Sequence, residues 1–264
     1  MSEVLCRLRR LSVTYAFRRE RVRALWDVDL DIVGGERLAI IGESGSGKST
    51  LARALAGLLP EHAGLRGEIS WRGLSRLARP GLDIGLVLQD PAASLNPVLT
   101  VGEQIAEGVR RHRGLGWHEA YRRAGELLER VHMPQPDKVL KAFPHQLSGG
   151  QCQRVAIAAA IAPGPALLVA DEATSALDMV VQAEIVRLLR ELVREEGMTL
   201  LFITHDIALA SGLVDRIAVF KNGALVEVGP VRDVLSAPAS PHTAALLYSH
   251  RDLATPPLVE EVPL

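Results

Sequence analysis

"GESGSGKS", residues 42–49, is the stretch on which the fold turns. It matches G-x-x-x-x-G-K-[ST]. The apolar run "RLAIIG" (37–42) leads into it and a helical pattern (48–58) follows. Strand, glycine-rich loop and helix in that order give the spacing a mechanism. Gly42, Gly45 and Gly47, with Glu43, Ser44 and Ser46 between them, let successive backbone N–H groups wrap a phosphate without side-chain clashes. The helix N-terminus adds partial positive charge. Lys48 is placed to reach the β- and γ-phosphates of a nucleotide, Ser49 to ligate Mg²⁺, and Thr50 to add a further phosphate contact.

Three more apolar runs close on polar residues: "DIGLVLQD" (83–90), "ALLVADE" (166–172) and "TLLFITHD" (199–206). Continuous Val/Ile/Leu runs of this length suit strands buried on both faces. Helical patterns at 180–195 and 207–213 alternate with them, which predicts an α/β fold with a parallel sheet. In such a sheet the carboxyl ends of the strands share one edge, and ligands bind there. Asp171 and Glu172 end one run. As neighbours on a strand they point to opposite faces and can take different roles. Asp171 suits a Mg²⁺ shell and Glu172 a proton acceptor for an attacking water. Gln89 offers a neutral oxygen ligand to the metal, and His205 a donor to the γ-phosphate.

Between Asp90 and Ile161 the character changes. "TVGEQIAEGVRRH", "WHEAYRRAGELLERV" and "PDKVLKAF" have helical spacing without a clear strand, which predicts an inserted helical subdomain entered through "DPAASLNP" (90–97). "IAVF", "KNG" and "ALVEVG" after Arg216 read as a hairpin. The proline-rich tail 237–264 is expected to be partly disordered.

Composition narrows the function classes. The chain has 264 residues, 48% hydrophobic and 23% charged, enough apolar content for a full core. A net charge of −1 excludes the broad positive field that non-specific nucleic-acid binding needs. Paired arginines at 9–10, 18–19, 110–111 and 122–123 read as solvated faces. Cys6 and Cys152 have no paired spacing, so neither a disulfide framework nor a zinc site is expected, and a reducing compartment is. The histidines show no metal-ligand spacing. The N-terminus lacks the apolar stretch of a signal peptide. The longest uncharged run, 155–170, is too short for a membrane span and is broken by Pro163, Gly164 and Pro165. A soluble chain is expected, for which any channel must come from other chains.

A second glycine-rich stretch, "HQLSGGQCQRV" (145–155), has no lysine. Ser148 there is either an N-cap for a helix beginning near Gly150 or part of a phosphate cradle. Adjacent glycines cost a helix about 1 kcal/mol each relative to alanine, and close approach of a ligand to the backbone would explain them.

"LSGGQ" followed by "QR" resembles the signature of ABC-type ATPases. The phosphate-binding loop, "LQD", "LSGGQ", "LLVADE", "TSALD" (174–178) and "ITHD" follow in that family's order over about residues 5–236. The resemblance implies a P-loop NTPase: a RecA-like parallel sheet core with an antiparallel β subdomain, plus an inserted α-helical subdomain. The expected divisions are a nucleotide-binding core, first part (1–90), the helical signature subdomain (91–161), the core's second part (162–236) and the tail (237–264). It also implies that two subunits pack head to tail, so that Ser148, Gly149, Gly150 and Gln151 of one chain contact ATP held by the other. Asp178 then belongs to the loop joining the two sites. Tyr15, with Phe17 as the alternative, matches the aromatic that stacks on adenine. Ala173 stands where the family often has proline, and Cys152 where a polar residue is commoner; a buried small hydrophobe is the expected role of Cys152.

"LQDPAASLNPVLTVGEQIAE" and "SPHTAALL" (240–247) are similar to the peptide/nickel uptake group. The expected function is ATP hydrolysis, with Mg²⁺, driving import of peptides, nickel or metal chelates. The expected partners are a second ABC ATPase subunit (a heterodimer, or alternatively a homodimer), two membrane permeases and, indirectly, a solute-binding protein, at the cytoplasmic face of the membrane. The alternatives are a soluble ABC ATPase of a non-transport complex, such as one in phosphonate metabolism, and a non-hydrolysing ATP-binding module.

Overall fold

A computed structural model describes residues 3–17, 20–72, 78–175 and 177–250. The chain forms two compact units, one of residues 1–78 and 199–264, the other of residues 79–198.

The first unit opens with two long strands, β1 (Val4–Phe17) and β2 (Glu20–Val33), then β3 (Arg37–Ile41), α1 (Lys48–Leu55) and β4 (Ala63–Trp71). β1, β2 and β4 form an antiparallel sheet in the order β2-β1-β4. It is the β subdomain that the family resemblance implied and that the hydrophobic pattern did not show. The alternation of β1 and β2 is broken by register shifts between Leu8 and Leu11 and between Leu11 and Val13. A bulge inserts an unpaired residue and hides the period of two. One face of β1 is nonetheless fully buried through Cys6, Leu8, Leu11 and Val13. Burial pushes the Cys6 thiol up to about 12, with the charge of Asp31 adding to the effect, so it stays a small apolar filler.

The second unit contains β5 (Ile84–Val87), then α2 (Pro91–Ser94), α3 (Val101–Arg113), α4 (Trp117–Arg130), α5 (Pro136–Val139) and α6 (Gly149–Ile161), then β6 (Leu167–Asp171) and α7 (Met179–Glu196). β5 and β6 pair in parallel, Val87 opposite Ala170. Several of these helices start where a side chain can accept from the first N–H groups. Asp90 caps α2, and Thr100 caps α3 in a reciprocal box with Glu103. Tyr121 donates to the Leu140 carbonyl, tying α4 to the chain after α5.

The chain then returns to the first unit with β7 (Thr199–Thr204), α8 (Ile207–Ser211), β8 (Arg216–Lys221), β9 (Ala224–Pro230), α9 (Val231–Ser236) and α10 (Pro241–His250). β7 and β8 flank β3 in parallel, and β9 closes an antiparallel hairpin on β8. Every residue of β7 is buried, as its unbroken apolar run required. Part of the tail is ordered. α10 is helical there, and Glu227 accepts the N–H groups of Ala239 and Ser240 just before it. Residues 251–264, the Arg18–Arg19 pair, the side chain of Phe17 and Ala176 of "TSALD" lie outside the described residues.

Candidate active site

In the first unit β3 delivers Gly42 to the carboxyl edge, and the loop 42–47 runs into α1. Two of its glycines are dictated by close approach. A Cβ on Gly42 would stand 2.3 Å from the Phe220 carbonyl oxygen. One on Gly47 would stand 2.5 Å from the Ala24 oxygen, and the backbone of Gly47 has φ +100°, which L side chains rarely adopt. The loop is pinned by Gly223 N–H donating to the Ser46 carbonyl at 3.0 Å. Lys48 is buried, and its Nζ donates to the carbonyls of Gly42 (2.7 Å) and Glu43 (2.9 Å). The ammonium is thereby held over its own loop.

No side chain caps α1, because glycine occupies the N-cap, so its first N–H groups face the loop. The Ser46 hydroxyl is buried with no hydrogen-bond partner among the described residues. Glu43, Ser44 and Gly45 are exposed, Ser49 and Thr50 half-buried. A glycine cradle, open helix amides, a fixed cation and an unsatisfied hydroxyl fit a polyphosphate and its Mg²⁺. The Tyr15 hydroxyl donates to Thr50 Oγ1 at 3.4 Å, which aims the ring at the same loop. His62 lies beside it, ring centroids 6.2 Å apart. Nothing in the spacing pointed to His62; the β1–β4 pairing brings it there. On β7, paired with β3 through Thr204 opposite Ile41, His205 follows directly and is exposed at the same edge as Gly42.

In the second unit the parallel pairing of β5 and β6 brings Gln89 and the acidic pair to one edge. Gln89 is exposed and Asp171 is 6% exposed. Glu172 is not on the strand: β6 ends at Asp171, and Glu172 turns out of it with φ +48°. The opposite-face reasoning for the pair is therefore replaced by a left-handed turn, held by Ser175 donating its N–H (3.1 Å) and hydroxyl (3.0 Å) to the Glu172 carbonyl. A non-glycine residue in that region is uncommon and strained, and such residues concentrate at functional sites. Ala173, in the proline position, is buried. Asp178 caps α7 by accepting from Val181 N–H, and Gln182 ties the preceding loop by donating to the carbonyls of Thr174 and Leu177.

The second glycine stretch has a structural role of its own. Ser148 is the N-cap of α6, accepting from Gln151 N–H, and Gln151 Oε1 accepts from Ser148 N–H. Gly150 is explained within the chain: a Cβ there would lie 2.8 Å from Val181 Cγ1. Gly149 differs, since its Cβ would meet only Leu177 Cδ2 at 3.7 Å. Ser148 and Gly149 are exposed. Arg154, which the motif reading passed over, donates to the Val131 carbonyl and to Glu184, anchoring α6 to the end of α4 and to α7. Cys152 is buried, with its thiol raised by burial and by the charge of Asp90, as expected of an apolar filler.

Fold and loop together define a nucleotide-binding cassette. Residues 25–175 match the family described as ABC transporter, and the chain belongs to that family. It is 41% identical over 255 residues to the oligopeptide transport ATP-binding protein OppD of Bacillus subtilis, covering 93% of this chain and 71% of that one. It is 42% identical over 252 residues to the glutathione import ATP-binding protein GsiA of Salmonella typhimurium, covering 90% of this chain and 40% of that protein; the chain thus spans about two fifths of GsiA. Among solved structures, a dimeric post-hydrolysis state of the ATP-binding cassette MJ0796, bound to ADP and Pi, matches with a TM-score of 0.75 at 33% identity, over 86% of this chain and 99% of that one. Among the described residues no helix is long and apolar enough to cross a membrane.

Proposed function

We propose that the chain is the ATP-hydrolysing subunit of an importer, acting on peptides or on small peptide-like solutes such as glutathione. The observation that carries the nucleotide chemistry is Lys48 Nζ, buried and fixed over the carbonyls of Gly42 and Glu43 at the mouth of an uncapped helix. The relationship to OppD over 93% of the chain supports the solute class.

Residues 42–50 hold the triphosphate and Tyr15 stacks on the base. Mg²⁺, held by Ser49 with Asp171 and Gln89 as further ligands, would neutralise charge on the β- and γ-phosphate oxygens. Glu172 takes a proton from water as its oxygen bonds to the γ-phosphorus, and the bond from that phosphorus to the bridging oxygen breaks, leaving ADP and phosphate. His205 donates to the γ-phosphate as charge develops. Ser148, Gly149, Gly150 and Gln151 cover the nucleotide of a second ATPase subunit, and Asp178 links the two sites. The helical part, 91–161, docks on one of two membrane permeases at the cytoplasmic face, which receive solute from a binding protein.

Hydrolysis by the purified chain with its partner subunit tests the reading. Glu172→Gln should leave ATP binding intact and lower turnover at least about 100-fold, the lower range for a general base. Normal turnover in that variant overturns the assignment of the base. Binding without turnover in the wild type would leave a non-hydrolysing ATP-binding module.

A further inference from the structure

We infer that the outer face of the antiparallel sheet in the first unit is a second anion-binding site, built for phosphate-monoester or diphosphate groups. The sheet encloses a groove of about 710 Å³ lined by Ser12, Thr14, Arg21, Arg23 and Arg66, with Glu61 and His62 among its other lining residues. Strand register puts the arginines on one face. Arg21 lies opposite Ala16 and Arg23 opposite Thr14 on β2, while Arg66 lies opposite Ser12 on β4. Cross-strand partners share a face, and Ser12, Thr14 and Ala16 alternate along β1 on that face. Tyr15 falls on the other face, where its hydroxyl reaches Thr50. The groove and the 42–50 loop are therefore served by opposite sides of β1.

The floor carries hydroxyls and the walls carry guanidinium groups. β2 and β4 flank β1, and Arg23 and Arg66 lie opposite Thr14 and Ser12, so two inter-strand spacings and a two-residue offset set their backbones about 12 Å apart. All three arginines are exposed, and among the described residues no carboxylate pairs with any of them. Arg23 is not loose: its guanidinium lies 3.8 Å from the centre of the Trp26 ring, which holds the fork in place. The Ser12 hydroxyl donates to Asp27 Oδ1 and accepts from Asp27 N–H, so Thr14 is the freer hydroxyl. Arginine forks match phosphate oxygens two at a time, and a concave basic surface focuses its field. The chain carries a net charge of −1, so this concentration of positive charge is local.

The test is titration of inorganic pyrophosphate into the full chain, with flotation on phosphatidic acid and on phosphatidylcholine vesicles. Binding should persist in Lys48→Ala, where the other phosphate loop is disabled. On that Lys48→Ala background it should weaken about tenfold or more when Arg23→Ala and Arg66→Ala are added. Arg66→Ala alone, which leaves the Arg23–Trp26 stack in place, should show a smaller loss in the same direction. Flotation on phosphatidic acid but not phosphatidylcholine, competed by pyrophosphate, makes the source a lipid headgroup. Pyrophosphate binding without flotation makes it a free phosphorylated compound. Absence of pyrophosphate binding in Lys48→Ala, or equal affinity in the arginine variants, overturns the proposal.

Discussion

At Gly47 and Glu172 backbone geometry, rather than composition, sets what the chain can do. Gly47 combines φ +100° with a Cβ position 2.5 Å from a backbone oxygen and 2.8 Å from Leu25 Cδ2. The first obstacle is main chain, which cannot rotate aside. Gly47→Ala should therefore cost about 1–3 kcal/mol in denaturant unfolding and weaken nucleotide binding with it; a neutral alanine would mean that the loop moves freely. Glu172 shows a limit of sequence reading. Its identity as a strand-end carboxylate was legible from "LLVADE". Its left-handed turn was not, because that turn depends on Ser175 closing back on its carbonyl.

At the scale of elements, α6 shows two roles in one motif. Ser148 and Gln151 cap the helix, and Gly150 makes room for α7 at Val181. Valine is stiff about χ1, so the 2.8 Å contact is not easily relieved. Gly150→Ala should destabilise by about 1–3 kcal/mol. In a Val181→Ala background the same change should stabilise by about 1 kcal/mol through helix propensity. The same sign in both backgrounds would refute the packing reason. The strand ends offer a pH test. Arg37 donates to Asp215 from its backbone, Nε and Nη2, joining β3 to the start of β8. Burial raises the Asp215 carboxyl, but the Arg37 hydrogen bonds and charge outweigh it and hold the group below its ordinary value. A depressed carboxyl contributes stability above its unfolded value, near 3.9, and loses it as pH falls through the folded one. Asp215→Asn should thus be less stable than wild type at neutral pH and converge with it in strong acid. A difference that persists unchanged into strong acid would remove the pair from the acid sensitivity.

Which elements were legible follows from the same physics. The four unbroken apolar runs became β3, β5, β6 and β7, because strands buried on both faces need no alternation. β4 is mostly exposed, and β1 and β2 are bulged, so they carried little pattern. α10 was hidden because its "SPHTAALL" start reads as a proline-rich tail, while its anchor, Glu227, lies on β9.

For the molecule as a whole, motif order pointed to a site that one chain does not complete. Lys48, Ser49 and His205 belong to one compact unit, and Gln89, Asp171, Glu172 and Ser148 to the other. No local pattern sets how such pieces meet across polypeptides. The most direct measurement is a structure of the ATP-loaded Glu172→Gln form with its partner subunit, reading the distance from Ser148 Oγ to the nearest γ-phosphate. The predicted result is hydrogen-bond contact, about 3 Å, with a triphosphate held on the other chain's phosphate loop. A Ser148–Gly149 segment facing solvent, or facing the ATP of its own chain, would contradict it.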